Sequence, residues 1–152
     1  MTIEGLAITV DVKVVEFTVP GQVRGKGRPI ASTISGHVRM RTPAKTAAYE
    51  GLIALAAQRA LNGRPQFEGA VHVVLRITHE PPASWSKRKR AAALASEILP
   101  TCKPDIDNVL KAVGDGCNGV LWRDDAQIAT ASVVRRYGEP CGLHVLVMNA
   151  VG

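Results

Sequence analysis

Apolar and polar positions alternate at period two over residues 12–19, where Val15, Phe17 and Val19 share one face, and this predicts a strand ended by Pro20-Gly21. The same alternation over 70–78 places Val71, Val73, Leu75 and Ile77 together, and Pro81-Pro82 breaks it. Ile30–Arg41 predicts a short hairpin turning near Ser35-Gly36. Ile128–Tyr137 and Leu143–Met148 read as strands, and the Gly138–Gly142 segment between them predicts an antiparallel hairpin. Helical spacing follows Thr42-Pro43, read as an N-cap with Pro at the first helical position. That helix should run to about Leu61, turn Ala48, Leu52, Leu55, Ala56 and Ala60 inward, and stop at Asn62-Gly63. Ser86–Ser96 predicts a second helix, and Asp107–Cys117 a third, capped by Asp107 or Asn108. The expected fold is a single compact α+β domain over 1–152, with a mixed or antiparallel sheet, about three helices and a flexible N-terminus over 1–11.

Composition narrows the class. A chain of 152 residues with 46% hydrophobic and 21% charged residues suits one globular domain, not a disordered, collagen-like or coiled-coil chain. No apolar run approaches the roughly 20 residues that span a bilayer, so no membrane role is expected. Met1-Thr-Ile-Glu-Gly lacks the charged and apolar regions of a signal peptide, which points to the cytosol. Cys102, Cys117 and Cys141 form no C-x-x-C pair and fit reduced structural thiols. No internal repeat or low-complexity segment is present.

Charge changes the picture. The net +6 divides along the chain: residues 24–103 carry fourteen Lys or Arg against four Glu, whereas 104–125 carry five Asp against Lys111 and Arg123. The long basic segment predicts a polyanionic partner. Arg24, Lys26 and Arg28 lie in a Gly-rich loop, and close backbone approach to a phosphate favours glycine. Lys87, Arg88, Lys89 and Arg90 occupy the first turn of a helix, against its dipole, so they serve either as a solvated face or as a DNA contact.

Five of the chain's six Asp fall between 105 and 125. An extended Asp105 would point to the same side as Asp107, and Asp107, Lys111 and Asp115 follow one helix face at four-residue spacing. Of Asp124 and Asp125, an extended chain lets only one face that site. Converging carboxylates repel, and a hard divalent cation relieves the repulsion. Oxygen ligands without a His or Cys pattern suit Mg²⁺ or Mn²⁺ rather than zinc, and His37, His72, His79 and His144 form no ligand pattern. Such an ion beside a basic surface suits phosphodiester chemistry, with Lys111 neutralising charge on the phosphate. Taken one at a time, Asp107 is a helix cap, the 107–111–115 set a surface row, and Asp124-Asp125 a turn. Trp85 and Trp122 read as packing residues. The alternatives to a nuclease are a non-catalytic DNA- or RNA-binding module with a structural Asp cluster and, less favoured, a metal-dependent phosphohydrolase.

Lys103-Pro-Asp105-x-Asp107-Asn108-x-x-Lys111, then Asp115, then Asn118-Gly119-x-x-Trp122-x-Asp124-Asp125-x-Gln127-Ile128, resembles the RusA family of Holliday junction resolvases. Val19-Pro20-Gly21, Lys26-Gly27-Arg28-Pro29 and Thr42-Pro43 extend the resemblance from about Phe17 to Met148. It implies a cytosolic homodimer, common in bacteriophages and prophages, that nicks two strands of a four-way DNA junction in recombination and repair. It implies Mg²⁺, with Mn²⁺ able to substitute, on Asp105, Asp107 and Asp125, and a catalytic Lys111. Asp115 and Asp124 fall on supporting acidic positions. On this reading Arg24, Lys26, Arg28, Lys87 to Arg90, Lys103 and Arg123 face DNA. Gly116-Cys117 departs from the family's pattern and predicts a helix that ends early or bends.

Overall fold

A computed structural model describes residues 2–3, 6–7 and 12–151. Two short strands, β1 (Thr2–Ile3) and β2 (Leu6–Ala7), pair antiparallel at the chain start; the expected flexible segment 1–11 otherwise lies outside the described residues. Then come β3 (Val14–Pro20), β4 (Ile30–Ile34), β5 (His37–Arg41), α1 (Ala44–Leu61) and β6 (Val71–His79). The chain finishes with α2 (Lys87–Leu94), α3 (Ile106–Gly116), β7 (Ile128–Tyr137) and β8 (Gly142–Asn149).

The main sheet has the order β3-β8-β6-β7. β8 runs antiparallel to both β3 and β6, and β7 runs parallel to β6. The fold is therefore α+β with a mixed sheet, as expected, but β7 and β8 are not a hairpin. β6 lies between them. Leu143, Val145 and Val147 of β8 are fully buried, which suits a central strand, whereas β7 carries Thr130, Ser132 and Arg136 outward and suits an edge. The predicted β4–β5 hairpin forms a separate antiparallel pair turning at Ser35-Gly36, both at positive φ.

One face of the sheet meets α1 and α3. Val15, Val71, Val73, Leu75, Ile77, Val145 and Val147 are buried against Tyr49, Ile53 and Ala57 of α1, Val109, Ala112 and Val113 of α3, and Leu121 and Trp122. Burying each large aliphatic side chain contributes about 1.5–3 kcal/mol. The buried stripe of α1 is Thr46, Tyr49, Ile53, Ala57 and Leu61; of the expected set, Ala56 and Ala60 are partly buried against the core and Ala48 is exposed. Leu52 and Leu55 are exposed; Ile53 and Tyr49 place the helix's widest apolar surface about one residue further round. The cap differs too: Pro43 occupies the N-cap position without a side-chain bond, and Thr42 lies outside it. As predicted, Asn62 and Gly63 end the helix in left-handed conformations. Gly116 ends α3 under α1, where an added Cβ would lie 3.0 Å from Ile53 Cγ2 and 3.2 Å from the Glu50 carbonyl oxygen. The helix stops there, with Cys117 at the C-cap position.

Candidate active site

The Gly-rich basic loop does not stand free. It threads between the starts of α1 and α3. The Lys26 N–H donates to the Asn108 carbonyl at 2.9 Å, and the Gly27 N–H donates to Thr46 Oγ1 at 3.0 Å. A Cβ on Gly25 would stand 2.8 Å from that of Asn108, and one on Gly27 would stand 2.6 Å from Thr46 Oγ1. The glycines permit approach to the protein's own helices. Between them Lys26 turns inward, its Nζ 2.7 Å from Glu50 of α1 and 2.9 Å from Asp115 of α3. Burial alone would lower the Lys26 pKa, but its bonds to the two carboxylates outweigh that and raise it. Lys26, assigned to DNA from the sequence, is thus committed to two internal acids. Glu50 was not singled out in the sequence, and the signal was a lysine flanked by two glycines.

The acids of α3 are placed by its first turns. Asp105 occupies the N-cap position in extended geometry but makes no side-chain cap bond. The expected caps, Asp107 and Asn108, lie inside the helix. Asp105 instead binds Lys103 Nζ at 2.8 Å. Asp107 and Lys111 are exposed one turn apart, and Asp115 is half-buried a turn further on.

Asp124 and Asp125 divide their tasks. Asp124 starts a 3-10 turn (Asp125–Gln127), accepting from the Ala126 N–H at 2.9 Å, while Gln127 Oε1 accepts from the Arg123 and Asp124 N–H groups at 3.0 and 3.3 Å. Gln127 Nε2 reaches across to the Phe67 and Gly69 carbonyls, both at 3.0 Å. This glutamine clamps the acidic turn to the chain entering β6. Asp125 is the one that faces α3. A Cβ on Gly114 would stand 3.2 Å from the Asp125 Cβ and 3.4 Å from its Oδ2. Trp122, fully buried, donates from Nε1 to the Gly114 carbonyl at 3.3 Å and to Asn118 Oδ1 at 3.0 Å, so it is a packing residue that ties α3 to this turn.

Electrostatics mark the same spot. The hydrogen bond with Asp124 pushes the Asp125 pKa up; burial and the charges of Asp115 and Asp124 add to this, and Lys111 opposes it. Asp124 moves the other way, held down by the Ala126 N–H and by Asp125. Asp115, Asp124, Asp125 and Lys111 therefore interact, while Asp105 is turned to Lys103. Among the described residues no three carboxylate, His or Cys side chains gather closely enough to hold an ion.

Of the other cations, Arg24, Arg28, Lys87, Arg88, Lys89 and Arg123 are exposed. Arg90 is half-buried, paired with Glu139 and donating to the Pro81 carbonyl. Lys89 lies 4.0 Å over the Trp85 ring, which meets Tyr137 edge-on. His72 pairs with Thr130 and His144 with Glu16.

The sequence profile of the endodeoxyribonuclease RusA family matches residues 20–148. The chain belongs to the RusA endodeoxyribonuclease family. It is also 34% identical over 137 residues to the uncharacterized protein YqaN of Bacillus subtilis (strain 168), covering 88% of this chain and 94% of that one. Membership implies a Holliday junction resolvase nuclease that binds branched DNA. The RusA match spans the basic loop, α1 and the acidic turn together, so it takes in every element that places a site residue. No helix among the described residues is long and apolar enough to cross a membrane.

Proposed function

We propose that this RusA-family chain is a Mg²⁺-dependent endonuclease that resolves four-way junctions by paired nicks in DNA recombination and repair. The observation that carries the reading is Asp125 set against Gly114 of α3, hydrogen-bonded to Asp124 and within the electrostatic reach of Asp115 and Lys111. Asp105, Asp107 and Asp125 would hold the ion, which would require them to draw together from an arrangement in which Asp105 is bound to Lys103. Their chemistry fits a hard cation: every donor is oxygen, and the thiol at the end of α3, Cys117, is buried and pushed up to about 12. When bound, the ion supplies positive charge to the scissile phosphate and lowers the pKa of the attacking water.

The chain's own residues do the rest. Lys111 offers an exposed ammonium to the phosphate oxygens as charge develops. Lys26 cancels the charge of Asp115 and holds α1 against α3, so the acids keep their spacing. Asp124 and Gln127 fix the turn that presents Asp125. Lys103, paired with Asp105 in this structure, would be free to meet the DNA backbone if that carboxylate held the ion. Arg24, Arg28, Arg123 and the start of α2 extend the cationic track along the arms.

The reading includes a homodimer, as paired nicks require two sites. Exposed Leu52 and Leu55, beside Thr18, Val19 and Pro20 of the edge strand β3, line an apolar groove of about 250 Å³ that suits a second copy. The test is incubation of labelled four-way junction and matched linear duplex with the protein, in Mg²⁺, in Mn²⁺ and in EDTA. Paired nicks in the junction alone, with either ion, are expected. Equal cutting of the duplex, or cutting in EDTA, would overturn the proposal.

A further inference from the structure

The β4–β5 hairpin stands apart from the core. Its two strands pair only with each other. Ile30, Ala31 and Thr33 of β4 and all five residues of β5 are exposed, and Ser32 is half-buried. Val38 and Met40 leave 71% and 63% of their surface in water. An isolated two-stranded hairpin is marginal in water, so a surface that covers it would stabilise it.

The pairing register sorts its side chains onto two faces. Residues opposite one another project to the same side, and neighbours along a strand to opposite sides. Arg39 lies opposite Ser32 and Arg41 opposite Ile30, so His37, Arg39 and Arg41 share one face. Val38 lies opposite Thr33 and Met40 opposite Ala31, so the other face carries no charge. The ribbon, roughly 17 Å long at the rise of a strand, is cationic on one side and mainly apolar on the other.

Charge decides what covers it. Between Glu16 and Glu50 the chain has six Lys or Arg, and His37, but no Asp or Glu. Among the described residues, Arg28, Arg39, Arg41 and Lys45 form no ion pair. A second copy of this chain would leave those cations unmatched, and Ala31, Thr33, Val38 and Met40 fall far short of the roughly 800 Å² per partner of a stable protein interface. A polyanion complements the cationic face. Continuous duplex satisfies that face alone, because stacked neighbours cover its base-pair faces. A branch point satisfies both: it brings phosphates of different arms together and leaves base-pair ends open. Apolar side chains, methionine among them, wedge against unstacked bases.

We propose that the β4–β5 ribbon lies at the branch point of the DNA, with His37, Arg39 and Arg41 on converging phosphates and Val38 and Met40 on an open base-pair face. This rests on the reading of branched DNA as the substrate and adds the element that tells a branch from a duplex. Arg28, just ahead of β4, and Lys45, in the first turn of α1, meet the flanking backbone. The loop that leads into the ribbon is tied to α3 by the Lys26 N–H, which donates to the Asn108 carbonyl. Seating the ribbon on the branch therefore sets the distance from the branch to the acids of α3.

The test measures affinity in EDTA for a four-way junction and its matched linear duplex, with the wild type, the double variant Val38→Thr/Met40→Gln and the double variant Arg39→Gln/Arg41→Gln. The first pair of changes keeps side-chain size and, at position 38, the β-branched shape, while removing apolar surface. It should weaken junction binding at least about tenfold and duplex binding less than about twofold. The second pair should weaken binding to both DNAs and lower the slope of log affinity against log salt by about 1.8. Equal losses on junction and duplex in the first variant, or no loss, overturn the proposal. A change of oligomeric state in that variant, read by sedimentation, overturns it in favour of a second copy. Both variants should melt within a few degrees of the wild type, because the ribbon lies outside the core; if the first does not, Met40→Gln alone carries the comparison. If the wild type cuts no junction in Mg²⁺, the nuclease reading falls, and the affinities in EDTA still decide the ribbon.

Discussion

Replacing Lys26 with methionine keeps the aliphatic stem and removes only the ammonium that joins Glu50 to Asp115. All three side chains are about one-fifth exposed, at 18%, 19% and 23%. Exposed pairs contribute roughly 0–1 kcal/mol, and removing one partner of a fully buried pair costs roughly 3–5 kcal/mol. This site lies between the two, and two carboxylates lose their counter-ion together, so the expected loss is about 2–3 kcal/mol. For a chain of this size that corresponds to a fall in Tm of about 4–12 °C. The measurement is reversible thermal unfolding near pH 7 without divalent ions, for Lys26→Met, Glu50→Gln and the double variant. The double variant should lose less than the sum of the singles, because Glu50→Gln removes one of the two orphaned charges. The Lys26 pKa is raised on folding, so its contribution is complete below the ordinary lysine value and fades as pH climbs through the raised one. A loss under about 0.5 kcal/mol, or strict additivity, would refute the reasoning and return Lys26 to the surface.

Three further outcomes are expected. Gly114→Ala would drive a methyl to 3.2 Å from the Asp125 Cβ, so cleavage should fall at least about tenfold while Tm shifts by only a few degrees; unchanged cleavage would mean that Asp125 is not in the site. Mg²⁺ at about 100 times its Kd should stabilise the wild type by about 2.7 kcal/mol in thermal unfolding, and Asp125→Asn should lose most of that gain; no shift in the wild type would favour a DNA-binding module with structural acids. Arg24→Gln and Arg28→Gln should each reduce the slope of log affinity against log salt by about 0.9, and Lys26→Met should leave it nearly unchanged, since its charge is spent inside the protein.

The strands with one buried face were legible because period-two alternation maps directly onto a half-buried sheet. Val71, Val73, Leu75 and Ile77 are all fully buried in β6. The β4–β5 hairpin was legible from Ser35-Gly36, which needs positive φ. Pairing was not, because β7 and β8 are close in sequence and no local pattern says that β6 comes between them. The α1 face was misjudged because its Ala and Leu residues surround the helix almost evenly, and the choice falls to Tyr49 and Ile53, which fit between the sheet and α3. At the site, Asp125 does face α3 and feels Asp115, whereas Asp105 is turned to Lys103 and no three acids gather among the described residues. The part that was hidden is the work of Lys26, Glu50 and Gln127. A cation in a Gly-rich loop looks the same whether it meets a phosphate or an internal carboxylate, and only the threading of residues 25–27 between two helices decides.

The most direct measurement compares the wild type with Asp107→Asn on one labelled four-way junction, scoring binding in EDTA and cleavage in Mg²⁺ on the same preparations. Asp107 is exposed on the first turn of α3, so the substitution should spare the fold. Cleavage should fall by several orders of magnitude while junction affinity is kept or tightened, because a negative charge near the phosphate has been removed. Cleavage retained by the variant, or affinity lost together with activity, would contradict the assignment of the acidic turn and α3 as the nuclease centre.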